Sequence, residues 1–136
     1  MSATSAFFDT NVLLYFASTN ADKADRSDAV LRDGGVVSVQ VLNEFAAVAR
    51  RKYALPWPSI RAVLAAVRST CNVVPLAIET HELGLALAER YGFNVYDGMI
   101  VAAAQLAGCT LLYSEDMHDG LVIDGLTIRN PYATRS

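Results

Sequence analysis

Four acidic residues, Asp9, Glu44, Asp97 and Asp116, are scattered along a chain of 136 residues, yet each stands where an α/β fold can turn it toward one pocket. Carboxylates gathered without bases to neutralise them call for a hard cation such as Mg²⁺ or Mn²⁺, which takes oxygen ligands. Two like charges about 4 Å apart repel by roughly 4 kcal/mol at an effective dielectric near 20, so converging acids are hard to keep together without one. The chemistry such a group performs is metal-assisted hydrolysis of a phosphodiester.

Each acid also has an ordinary structural reading. Asp9, ahead of Thr10 and Asn11, can cap a short helix. Asp97 can satisfy N–H groups at a helix start, three residues after a capping Asn94. Asp116 lies in a polar turn where Asp is common. Glu44 is hardest to dismiss: it stands three residues after Val41 and four before Val48, at the edge of an apolar helical stripe.

Alternating short apolar runs and amphipathic segments, with no repeat, low-complexity tract or linker, predict an α/β fold with a mostly parallel sheet. Strands are expected at 6–8, 36–38, 71–74 and 110–113, with a closing hairpin of 121–123 and 126–128 around Asp124-Gly125. Helices are expected at 11–16, 22–33, 39–53, 59–68, 79–91 and 96–107, the last apolar enough to be central. In this frame Asp9 and Asp116 follow strands, at the carboxyl edge where open α/β sheets bind ligands. Asp97 opens the apolar helix on the side of Ile100, Val101 and Ala104.

The length predicts a single domain over 1–136. A hydrophobic content of 53% and a mean hydropathy of +0.28 predict apolar surface covered by a second copy or a partner. No Lys or Arg precedes Lys23 and no stretch is long enough to span a bilayer, so a cytoplasmic, non-membrane protein is expected. Cys71 and Cys109 lack metal-like spacing and read as reduced core residues. A net charge of −3 argues against binding nucleic acid by overall attraction, though not against catalysis on RNA. Arg50, Arg51 and Lys52 form the one basic run, which equally suits a helix end.

Four blocks carry a resemblance: Phe8-Asp9-Thr10-Asn11-Val12-Leu13, Ser38 to Phe45, Tyr96 to Ala104, and Leu112-Tyr113-Ser114-Glu115-Asp116. In this order they resemble the blocks of a PIN domain, and the length is similar to VapC-type toxins of bacterial toxin–antitoxin pairs. The resemblance implies a three-layer sandwich and an endoribonuclease dependent on Mg²⁺ or Mn²⁺, leaving a 5′-phosphate and a 3′-hydroxyl. It places metal ligands at Asp9 and Asp97, Glu44 as a direct or water-mediated ligand, and Asp116 as ligand or water-orienting base. Thr10 and Asn11 are expected to fix the Asp9 loop locally and Ser114 to orient a carboxylate. Asp119 is an alternative fourth acid; Arg51 is a candidate phosphate contact and His118 a candidate RNA contact or proton shuttle, both with a surface role as the plainer reading. A cognate antitoxin and a homodimer are also implied. Other readings are a non-toxin PIN ribonuclease, a non-catalytic PIN-like binding module, or phosphoaspartyl chemistry at Asp9-Thr10-Asn11. The last needs a Lys after a late strand, and Lys23 and Lys52 are the only lysines.

Overall fold

The computed structural model describes residues 5–133; the outer ends of the expected domain, 1–4 and 134–136, lie outside the described residues. Strand β1 (Ala6–Phe8) leads into helices α1 (Thr10–Phe16) and α2 (Ala21–Leu31), then β2 (Gly35–Ser38), α3 (Val39–Arg51), α4 (Trp57–Thr70) and β3 (Cys71–Val74). Helices α5 (Ile78–Tyr91) and α6 (Val95–Leu106) precede β4 (Leu111–Tyr113), β5 (Val122–Ile123) and β6 (Leu126–Arg129). The strands form one sheet in the order β3-β2-β1-β4-β6-β5, parallel except for the β5–β6 hairpin. Helices flank it in the expected α/β sandwich.

The local signals explain the element boundaries. Asn20, Ser38 and Asn94 each accept a backbone N–H three residues on and so start α2, α3 and α6. Pro58 sits in the first turn of α4, where no N–H is needed. Asp124 and Gly125 take the two positive φ angles, 48° and 86°, that a tight two-residue hairpin requires.

Strand β1 is central, and its Phe7 and Phe8 are fully buried; each such side chain stabilises the fold by about 1.5–3 kcal/mol. The chain passes from β1 to β2 on one side and enters β4 on the other. The strand order therefore reverses between β1 and β4, which opens a crevice at their carboxyl ends. Both cysteines are buried thiols.

Helix α6 is buried from Gly98 through Ala104, which explains its lack of an amphipathic pattern. It contacts β2, β4 and, most extensively, α5. That approach is close because glycines face each other: a methyl group on Gly98 would come within 2.5 Å of the Gly84 carbonyl oxygen and 3.1 Å of the Ala88 Cβ. Since Gly98 adjoins Asp97, this packing also sets where Asp97 stands.

Gly98→Ala should therefore reverse the usual gain of about 1 kcal/mol from replacing a helical glycine. Overpacking of about 1–3 kcal/mol is expected to lower the melting midpoint by roughly 3–10 °C in a thermal scan. An unchanged or raised midpoint would show that α5 can shift without cost.

Candidate functional site

Register between the two central strands builds the first part of the site. Phe8 pairs with Tyr113, and the Asp9 N–H continues the ladder by donating to the Tyr113 carbonyl at 3.0 Å. The next residues, Asp9 and Ser114, thus leave the sheet side by side. The Ser114 hydroxyl donates to Asp9 Oδ2 at 2.7 Å, and the Thr10 N–H donates to Oδ1 at 2.6 Å. Asp9 is the N-cap of α1, so its structural reading holds, but capping engages only one of its oxygens.

Asp9 is 4% exposed. Burial raises its pKa to about 7 against the pull of the Ser114 and Thr10 hydrogen bonds, with the charges of Asp97 and Asp116 adding to the rise. At Asp97, which is half-buried, desolvation again comes first among the causes that raise the pKa, followed by Asp116 and Glu44, with Asn94 opposing. These mutual effects tie Asp9, Glu44, Asp97 and Asp116 into one electrostatic neighbourhood at the carboxyl edge of the sheet.

Each carboxylate is tethered by a neutral neighbour. Glu44, half-buried on α3, accepts from the Thr10 hydroxyl at 2.7 Å and from Gln40 Nε2 at 3.4 Å. Gln40 also donates to the Tyr96 carbonyl at 3.1 Å and so links α3 to the start of α6. Asp97 Oδ2 accepts from Asn94 Nδ2 at 3.1 Å, while the Asp97 N–H is capped by Asn94 Oδ1 at 2.8 Å. Asn94, not the Asp97 carboxylate, therefore does the capping. Asp116 is exposed and accepts from Asn11 Nδ2 at 3.1 Å.

Among the described residues, no three Asp, Glu, His or Cys side chains are already drawn together as a metal-coordinating group. The donor set is nevertheless all carboxylate oxygen, the chemistry that suits Mg²⁺ or Mn²⁺.

Thr10 holds Asp9 locally through its N–H, and the side chains of Thr10 and Asn11 reach further across the chain, Thr10 to Glu44 and Asn11 to Asp116. Asp119 accepts the Asn130 N–H at 2.9 Å. His118 is exposed, and its carbonyl accepts from Leu121. Arg51 is exposed at the end of α3, about 10 Å along the helix from Glu44. Its neighbour Arg50 donates to the Leu55 carbonyl and lies over the Trp57 ring.

Sequence reasoning missed Gln40, although a polar residue one turn before Glu44 on the same helix was a usable signal. It also missed the joining of Tyr15 and Lys23 to Glu115, pairs 100 and 92 residues apart, for which the sequence holds no signal.

The PIN domain family pattern matches residues 6–118. No curated protein matches by sequence. Among solved structures, a toxin–antitoxin complex from Klebsiella pneumoniae superposes with a TM-score of 0.73 at 26% identity, covering 96% of this chain and 100% of that one. The Mycobacterium tuberculosis toxin VapC20, described as cleaving the sarcin-ricin loop, gives 0.68 at 18% identity, over 82% of this chain and 90% of that one. FitAcB from Neisseria gonorrhoeae gives 0.64 at 16% identity, over 95% and 99%. The last two show likeness of fold.

The raised pKa of Asp9 has a measurable effect on stability without metal. The unfolded chain releases this proton near 3.8, whereas the folded chain keeps it until about pH 7. Between these values the folded state binds more protons, so stability falls as pH rises and levels off above pH 7. Urea midpoints of chelator-treated protein from pH 4 to 7 should show this decline, by at most a few kcal/mol, and Asp9→Asn should flatten it. Equal pH dependence in both proteins would contradict the burial argument.

Proposed function

The chain belongs to the PIN domain family, and from that premise we propose that it is a divalent-metal-dependent endoribonuclease, the toxin of a VapBC-type toxin–antitoxin pair. The observation that carries this reading is the buried Asp9 carboxylate, destabilised by desolvation and by the charges of Asp97 and Asp116. Its toxin part draws support from the Klebsiella pneumoniae toxin–antitoxin complex, one chain of which is matched over its whole length.

Asp9 and Asp97 would hold Mg²⁺ or Mn²⁺, with Glu44 directly or through water and Asp116 as ligand or water-orienting base. Such an ion, when bound, polarises the scissile phosphate and lowers the pKa of a water molecule. The chain's own residues supply orientation. Ser114 and the Thr10 N–H fix both Asp9 oxygens, the Thr10 hydroxyl fixes Glu44, and Asn11 directs Asp116. Asp116, the most exposed of the four, is best placed to take a proton from a water approaching from solvent. Family chemistry leaves a 5′-phosphate and a 3′-hydroxyl on the products. Phosphoaspartyl chemistry is disfavoured because Lys23 is already bound to Glu115 and Tyr15.

Two apolar areas fit the proposed protein partners. A cleft of about 420 Å³ between α1 and α3, lined by Leu14, Phe45, Ala49, Tyr53 and Leu55 among others, would take an antitoxin segment. Leu76, Ile78, Val95 and Tyr96 are 48–68% exposed around a second depression next to Gln40, a face suited to a second copy of the chain. Among the described residues no helix is long and apolar enough to cross a membrane.

Metal-dependent cleavage of RNA should fall by about a hundredfold or more in both Asp9→Asn and Asp97→Asn. Asp97→Asn should leave the metal-free melting midpoint unchanged or slightly raised, because it relieves repulsion while its amide oxygen still accepts from Asn94. Cleavage that persists in both variants would defeat the enzyme reading, and a large loss of metal-free stability would make Asp97 structural. Ile78→Glu is expected to turn a dimer into a monomer in light scattering; an unchanged mass would remove that face as the interface.

A further inference from the structure

Beside the acid cluster lies a second polar assembly that the proposed reaction does not use. The Lys23 ammonium donates to Glu115 Oε2 at 2.6 Å and to the Tyr15 hydroxyl at 3.0 Å, and that hydroxyl donates to Glu115 Oε1 at 2.7 Å. Lys23 also lies 4.1 Å from the Tyr15 ring centroid and 5.3 Å from that of Tyr132, and the two rings meet edge to face at 4.9 Å. Tyr132 is hydrogen-bonded to the fully buried Ser27 of α2 at 2.5 Å. The assembly joins α1, α2, the turn after β4 and the segment after β6.

An exposed ion pair alone contributes little to stability. Here, however, Lys23 and Glu115 are only 27% and 25% exposed, both Glu115 oxygens are engaged, and two aromatic faces take the cation. Glu115 immediately precedes Asp116 and carries the same chemical group. Its backbone N–H donates at 3.4 Å to Asn11, the residue whose amide holds Asp116. One asparagine thus grips the turn at both acids, while Tyr15 and Lys23 turn the Glu115 side chain toward α1 and α2.

We propose, resting on the metal-dependent reading above, that Tyr15 and Lys23 are positioning residues: by withholding Glu115 they present Asp116, and not its neighbour, to the acid cluster, and so set the cluster's affinity for a divalent cation. Their effect passes entirely through Glu115 and the turn. Neither side chain hydrogen-bonds any of the four acids; both are held by Glu115 and by each other.

Calorimetric titration of the RNA-free full chain with Mn²⁺ tests this, alongside urea melts that rank folding separately. Lys23→Met is expected to weaken Mn²⁺ binding by about tenfold or more, the size seen when a residue that orients a ligand is lost. Lys23→Arg should recover most of the affinity, because it can still donate to both partners. Glu115→Gln should weaken binding similarly, and Lys23→Met combined with Glu115→Gln should be no worse than either alone, as expected of residues acting as one unit. Tyr15→Phe keeps the ring and removes one donor, so it carries the test if Lys23→Met does not fold. Wild-type affinity in Lys23→Met or Tyr15→Phe, even with a lowered melting midpoint, or full additivity in the double variant, would overturn the proposal alone. Failure of the wild type to bind Mn²⁺, or equal binding by Asp9→Asn, would overturn the ribonuclease reading and this proposal with it.

Discussion

Burying one carboxylate at the end of the central strand and surrounding it with others is the constraint around which the site is organised. Asp9 sits at 4% exposure with Asp97 and Asp116 close enough to raise its pKa. A charged group there is unfavourable by desolvation and again by repulsion. The fold opposes both with neutral donors: a hydroxyl and a backbone N–H on Asp9, a hydroxyl on Glu44, and side-chain amides on Glu44, Asp97 and Asp116. Among the described residues no Lys or Arg makes an ion pair with any of the four. That pattern leaves their charge available to a cation.

Several features of the scaffold follow from the need to hold this arrangement. The three-residue strands β1 and β4 end in register, so that Asp9 and Ser114 emerge together. Helix α3 begins directly at Ser38, the last residue of β2, which brings Gln40 and Glu44 to the same edge. The facing glycines of α5 and α6 let α6 pack closely with Asp97 in its first turn. Glu115 shows how an additional acid is kept aside: burial raises its pKa, but hydrogen bonds from Lys23 and Tyr15 and the Lys23 charge outweigh that and leave it lowered, opposite to Asp9 and Asp97.

Much of this was legible in the sequence because it is encoded locally. Asp9 after an apolar triplet, Asp97 three residues after a capping Asn94, and the Asp124-Gly125 hairpin are short-range patterns with a mechanical basis. Boundaries moved by one or two residues where caps, not apolar content, decide, as at Asn20 and Asn94. The exact choice between Asp116 and Asp119 was not legible, since both lie in one polar turn. In the structure the two have partners 105 and 11 residues away, Asn11 for Asp116 and Asn130 for Asp119. Thr10 and Asn11 were underestimated for the same reason: a side chain's neighbour in sequence does not reveal its neighbour in space.

If acids from four separate elements converge on a divalent-ion site, crystals grown with Mn²⁺ will reveal it through the ion's anomalous scattering. A single strong peak or a close pair is expected at the carboxyl ends of β1 and β4, coordinated by Asp9 and Asp97 with Glu44 or Asp116 completing the shell directly or through water. Crystals soaked to saturation that show no peak there, or an ion bound elsewhere while these carboxylates keep only their present tethers, would contradict it.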